Sequence, residues 1–223
     1  MTRRILLIAL ASAAAACSDN RSSVEIVGRA FPDSVPSCKY TTGGTQLIGE
    51  GQLDVTAGVQ RTYGTVFQVN NTMVDPSKAN PATVAAAKAW RALAAKIRVN
   101  PSDYMKDFPP SPDLLAFSRD ARVPLDGTTI EPNGNGTIEA QVVDSTLGDA
   151  IFAALGGATS AHVVVGVTLE GQTLDGHSLD SGEWYFGLRV CTGAGCLYPT
   201  CKAGDVLEGC FPGSGDPIVC VTP

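Results

Sequence analysis

The sequence predicts a mainly all-β protein, an antiparallel β-sandwich with one or two short inserted helices and a disulfide-rich C-terminal segment. Three observations carry this expectation. Short stretches alternate apolar and polar residues with a period of two, as half-buried strands do. Glycine (24 residues) and proline (14 residues) punctuate those stretches, the pattern of turns that join strands. Five of the seven cysteines fall within residues 191–223, so the end of the chain reads as a stapled segment.

Taken in order, residues 46–55 set Leu47, Leu53 and Val55 on one face against Glu50, Gln52 and Asp54. Residues 62–69 repeat the pattern with Tyr63, Phe67 and Val69. A third alternation sets Leu93, Ala95, Ile97 and Val99 against Lys96 and Arg98, and a fourth sets Ile138, Ala140 and Val142 against Glu139 and Gln141. The clearest pair is 161–170, with Val163, Val165, Val167 and Leu169 in line, and 183–190, with Trp184, Phe186, Leu188 and Val190 in line. Residues 171–182 between them carry Asp-Gly and Ser-Gly steps and read as a hairpin connection.

Two stretches read as helix. Asn80 and Pro81 suit an N-cap and first turn before Ala-rich 82–91, and Ser145 suits a cap for 146–155, which Gly156 stops. The segments 109–112 and 133–136 read as loops. No internal Cys…Trp…Cys spacing is present, so the sandwich expected is immunoglobulin- or fibronectin-like without the antibody-type core bridge.

The N-terminus has the form of a secretory leader: Arg3 and Arg4, the apolar run 5–16, then small residues before Cys17. That run is too short for a bilayer core about 30 Å thick, which needs about twenty residues. Ala14-Ala15-Ala16-Cys17 resembles the lipobox of bacterial lipoproteins, with Ala14 where leucine is usual, and the resemblance implies a lipid on Cys17. Cleavage by ordinary signal peptidase is the alternative. Loss of residues 1–16 removes two arginines and no acid, so the mature chain carries 14 basic against 22 acidic residues, a charge of −8. Such an excess of acid excludes the basic face that a nucleic-acid binder needs.

The expected organisation is therefore a leader over 1–16, a lipidated Cys17 with a flexible tether over 17–40, a sandwich over 41–190 and a Cys-rich extension over 191–223 packed on it. With Cys17 assigned to lipid, six cysteines remain: Cys38, Cys191, Cys196, Cys201, Cys210 and Cys220. An even set suits an oxidising envelope. If all six pair, one C-terminal cysteine must reach Cys38, although the spacing leaves the connectivity open. The spacings lack zinc-ribbon knuckles, so no metal is expected there.

Groups for chemistry are sparse. His162 falls at the start of a strand on the face opposite Val163 and reads as exposed. His177 lies beside Asp175, Ser178, Asp180 and Glu183. A Ser-His-Asp set can be drawn from Ser178, His177 and Asp175, but triads are assembled from separate segments and sequence neighbours rarely reach the geometry. The acids Asp175, Asp180 and Glu183 suit either calcium or the acid and base of a hydrolase, and compete with a reading as solvated turn residues. The loop 126–135 carries the same two readings. A sugar-binding face would use Trp184 and Tyr185, but alternation sends Trp184 to the core and only Tyr185 outward. Trp90 reads as lying on an exposed helix face.

The lipobox-like start, the strand Tyr63 to Met73 with its Val69-Asn70-Asn71 end, and the strand Trp184 to Val190 running into Cys191 and Cys196-Leu197 together resemble β-sandwich lipoproteins of uncharacterised role from myxobacteria and related predatory bacteria. The resemblance implies a lipid-anchored envelope protein, by Ser18 at the outer membrane, and no particular activity. The expected function is a non-catalytic surface, binding or adhesion module with an envelope protein or glycan as partner, no nucleic acid and no cofactor. The alternatives are a periplasmic or extracellular hydrolase built on Asp175, Asp180 and Glu183, and a self-associating structural component. One outcome follows directly from the cysteine division: alkylation without reductant labels no cysteine of the lipidated protein, and labelling of any of the six breaks the pairing.

Overall fold

The computed structural model describes residues 22–30, 32, 39–40, 47–48, 50–57, 60–73, 88–107, 113–193, 196, 206–208 and 219–221. In chain order the strands are β1 (Val24–Ala30), β2 (Leu47–Ile48), β3 (Glu50–Asp54), β4 (Tyr63–Asn71), β5 (Trp90–Val99), β6 (Arg119–Pro124), β7 (Thr129–Ile130), β8 (Gly134–Val143), β9 (Ser160–Thr173), β10 (Trp184–Cys191), β11 (Val206–Glu208) and β12 (Val219–Val221). Helix α1 (Ser102–Asp107) follows β5, and α2 (Ser145–Leu155) joins β8 to β9.

Two sheets pack as a sandwich. One runs β2-β1-β4-β8, the other β3-β10-β9-β5-β6 with β7 beside β5, and β11 pairs β12 separately. Among the described strands all pairings are antiparallel except β3 with β10. That exception arises because the expected strand 46–55 divides: β2 lies in the first sheet and β3 in the second.

The alternation in β9 and β10 decides which side faces the core. Val163, Val165, Val167 and Leu169 are fully buried, as are Leu188 and Val190. Opposite them, Phe67 of β4 meets Trp184 edge-on at 6.0 Å and Phe186 at 6.5 Å between ring centroids. Tyr63 and Phe186 lie 6.3 Å apart. Rings at such separations add to the area term that dominates the core. Within this layer Arg29 is also fully buried; its Nε donates to Thr65 Oγ1 at 3.0 Å, and its guanidinium lies 4.9 Å from the Phe186 ring centroid.

Several expectations are corrected. Val24–Ala30 is a strand between β2 and β4, with Val24 and Ile26 buried, so the flexible tether does not extend over these residues. Leu93 is 39% exposed, not in line with Ala95, because the β5–β9 register shifts between Ala92 and Ala94. The bulge inverts the phase, and Trp90 and Ala92 take the core side instead. Trp90 is thus no exposed helix residue: it opens β5, is fully buried, and donates from Nε1 to the Leu179 carbonyl at 2.8 Å. The remainder of the expected helix, 82–87, lies outside the described residues. Helix α2 is capped by Asp144, not Ser145: the Asp144 carboxylate accepts from Leu147 N at 2.7 Å. Gly156 ends it in the left-handed region at φ 59°, as expected. Residues 134–136 open β8 and do not form a loop.

Cys191 and Cys196 form a disulfide with a Cα separation of 5.4 Å. Cys17, Cys38, Cys201 and Cys210 lie outside the described residues, and Cys220 is described only as part of β12.

Gly171 is closely enclosed within the second sheet. A β-carbon there would enter the Trp90 ring and stand 2.5 Å from the Arg91 carbonyl oxygen, in backbone that cannot yield cheaply. Gly171→Ala is therefore expected to destabilise by about 3 kcal/mol in urea unfolding, the upper range for overpacking. A change below about 0.5 kcal/mol, the ordinary surface range, would contradict this account of the contact.

Candidate functional site

The fold brings two groups of polar residues to the surface of the sandwich. The first lies on its outer face. Arg98 of β5 and Tyr185 of β10 both stand opposite Gly166 of β9, so they share one row across three strands. Gly166 leaves space that its neighbours fill, since a β-carbon would stand 2.6 Å from Glu183 Oε1 and 2.9 Å from the Tyr185 ring. Arg98 Nη1 donates to Glu183 Oε2 at 3.0 Å, and Nη2 donates to Asp103 Oδ1 at 2.5 Å. Tyr185 donates its hydroxyl to Glu183 Oε2 at 2.7 Å. Tyr104 of α1 covers Tyr185 with a centroid separation of 4.4 Å.

The charges of this group answer one another. The hydrogen bond from Arg98 holds Asp103 below the usual carboxylate range. Asp103 and Glu183 in turn keep Arg98 protonated. Burial, with the hydrogen bond to Glu183, pushes the Tyr185 phenol up to about 12. The outward Tyr185 of the expected sugar face is therefore paired with Tyr104, which the sequence did not point to. Trp184 is half-buried and stacks on Phe186 at 5.5 Å.

The second group lies where β1, β4 and β9 reach one end of the sandwich. β9 turns through residues 174–176, with Gly176 at φ 89°, and the chain returns alongside it as the expected hairpin connection. Leu179 N donates to the Gly171 carbonyl at 2.9 Å, and Ser181 N to that of Leu169 at 2.8 Å. A groove of about 450 Å³ opens here, with Met73 and Leu179 as apolar lining and Ser23, Lys88, His177 and Ser178 among its polar lining. Its size falls within the usual range for small-molecule sites.

Asp175 and His177 adjoin this groove but form no catalytic relay. Asp175 accepts the Thr173 hydroxyl, which holds its carboxyl below the usual range, and its other oxygen is 3.9 Å from both Lys88 Nζ and His177 Nε2. The His177 side chain is 80% exposed. The acids singled out in the sequence do not converge: the Asp175 carboxylate takes Thr173 and that of Glu183 takes Arg98 and Tyr185, while Asp180 is tied through its backbone carbonyl, which accepts Ser22 Oγ at 2.5 Å. Among the described residues no group of three or more His, Cys, Asp or Glu is arranged to hold a metal ion. His162 lies partly exposed with Nε2 3.2 Å from Glu50 Oε1, at the strand start where the sequence placed it.

No protein-family model matches the chain, and comparison with curated proteins gives no significant match.

The Tyr185 environment has a pH signature. Its phenol is raised in the folded protein, so folding binds the proton more tightly than the unfolded chain, whose tyrosines titrate near about 10. The stability contribution is complete below that pH and lost as pH rises through the folded value, about 12. Unfolding of the wild type should therefore become steeply easier across that alkaline window, and Tyr185→Phe should flatten the slope. An unchanged slope in the variant rules out the assignment.

Proposed function

We propose that the protein is a lipid-anchored component of the bacterial cell envelope, at the outer membrane, whose sandwich is a non-catalytic binding module. The observation that carries the binding part is the groove at the sandwich end. Met73 and Leu179 give it apolar lining beside Lys88, His177 and Ser178, while the carboxylates of Asp175 and Glu183 are already engaged by protein donors. Such a site has hydrogen-bonding and cationic groups to orient a ligand and no assembled nucleophile, base and orienter.

Anchoring at Cys17 gives this groove a defined place. Ser22 already contacts Asp180, and the Ser23 carbonyl accepts from Thr72 N at 2.7 Å, so only residues 18–21 separate Cys17 from the folded body. Five chain steps reach at most about 18 Å. The anchor then holds the groove end toward the bilayer and turns the end with α2 and Cys191 outward. The tether is short rather than long, which fits display close to the membrane surface and to the cell-wall glycan beside it.

Two measurements test the proposal. Intact mass of the membrane fraction is expected to show acyl mass on a chain beginning at Cys17, and Cys17→Ala should release the protein from membranes; an unlipidated chain starting at Cys17 refutes the anchor. Purified cell-wall sacculi should co-sediment with the protein, releasing no soluble fragments, and the pair Lys88→Glu and Leu179→Asp should each weaken that binding about tenfold, the loss of one good contact. Fragment release that disappears in Asp175→Ala would establish the hydrolase instead.

A further inference from the structure

β6 is the last strand of the six-stranded sheet, and among the described residues no strand pairs with its outer edge. Arg119, Asp120, Arg122 and Pro124 are exposed, while Ala121 and Val123 are half-buried against the core. Open edges of this kind template pairing with another strand.

The direction of the backbone groups on β6 follows from one hydrogen bond. Leu125 N donates to the Leu93 carbonyl at 2.9 Å, in continuation of the β5–β6 register that sets Val123 opposite Ala95. Antiparallel pairs alternate between hydrogen-bonded and not. Val123, Ala121 and Arg119 therefore turn their N–H and C=O toward β5, and Pro124, Arg122 and Asp120 turn theirs outward. Pro124, which has no N–H, occupies an outward position where the sheet loses nothing.

We propose that β6 pairs with β6 of a second copy of this chain, antiparallel, about a two-fold axis through Ala121. Side-chain direction restricts a two-fold pairing here to axes through a residue. An axis through Asp120 sets acid against acid, and one through Arg122 sets arginine against arginine. The axis through Ala121 alone sets Asp120 opposite the partner's Arg122, twice, with the outward backbone groups of both residues available for four hydrogen bonds. Opposite charges directly across a pair stabilise and like charges oppose pairing.

The surrounding charges agree with that order. Asp120 stands opposite Arg98 on β5, and Arg122 stands opposite Lys96. Arg122, 65% exposed at the side chain, reaches across to Glu170 Oε2 at 2.6 Å. A partner Asp120 would complete the row of Lys96 and Arg122, and a partner Arg122 would complete the row of Arg98 and Asp120. The two six-stranded sheets would become one.

Sedimentation velocity on the full chain, extracted in mild detergent, tests the proposal. The wild type should show a concentration-dependent dimer. Asp120→Arg alone and Arg122→Asp alone should each weaken it about tenfold or more, because both cross-strand pairs turn repulsive. Mixing the two single variants should restore a dimer, as one chain then carries two bases and the other two acids. Ala121→Cys should form a disulfide-linked dimer on oxidation, since a non-hydrogen-bonded pair brings Cα atoms to about 4.5 Å, within the range of a bridge. Val123→Cys, opposite position 119 and not its own copy, should not. A monomer at every concentration, or a dimer indifferent to both single variants and unlinked in Ala121→Cys, overturns the proposal; the mixed pair guards against variants that merely unfold.

Discussion

The structure depends on the phase of β9. This strand is held on both sides, by β5 and by β10, so a slip of one residue would turn Val163, Val165, Val167 and Leu169 to solvent and bring His162, Val164, Gly166 and Thr168 inward. Each of these four apolar side chains is fully buried, and losing one from a core typically costs about 2–5 kcal/mol for a large-to-small change. The register is therefore fixed by the layer beneath it, not by the turns at its ends. β10 inherits the same phase through an unbroken ladder from Trp184 to Cys191. β5 inherits it only by inserting an extra residue near Leu93, which allows Trp90 and Ile97 to share one buried side.

Where the ladders end, asparagines complete the hydrogen bonding. Asn100, at φ 46°, donates from Nδ2 to the carbonyls of Leu115 and Phe117 and accepts from Val164 N at 2.7 Å. It joins the end of β5, the segment before β6 and β9 at one buried point. Asn71 does the same at the other end, donating to the carbonyls of Lys88 and Ile130. Short amides suit these places because they supply both a donor and an acceptor to backbone that has run out of strand partners. The outer face above Asn100 is then covered by α1, pinned through Tyr104 and Asp103 to Tyr185 and Arg98. The polar residues nearest a sugar-binding pattern in the sequence thus secure a helix.

The sandwich was legible because alternation is a local property: β4, β8, β9 and β10 all coincide with stretches whose apolar residues recur every second position. Features created by a partner were not. The bulge in β5 arises in its pairing with β9, and the burial of Trp90 follows from that bulge and from the space that Gly171, opposite Ala92, leaves for its ring. β1 reads as tether because the stretch 18–37 around it is polar and rich in Ser, Asn and Pro, and its short apolar set finds its core only by pairing with β4, with a register shift between Ile26 and Gly28. The site divides the same way. His177, Ser178 and Asp175 were conspicuous as neighbours in sequence, yet what Glu183 does depends on Arg98, 85 residues earlier, and no spacing rule reaches that far.

The same topology sharpens the expectation about the remaining cysteines. β1 runs away from the groove and ends at Ala30, while β10 ends at Cys191, whose carbonyl accepts from Val55 N at 2.9 Å. Arg61, just before β4, donates to the Val55 carbonyl and meets Asp149 of α2, so these segments share the sandwich end opposite the groove. Cys38 follows Ala30 by eight positions in the sequence, and the C-terminal cysteines follow Cys191. With Cys191 paired to Cys196, and with Cys17 set aside for the proposed lipid, four cysteines are left, and full pairing among them has three arrangements, in each of which Cys38 joins Cys201, Cys210 or Cys220. A bridge from Cys38 is long in sequence but joins two segments that leave the sandwich at the same end.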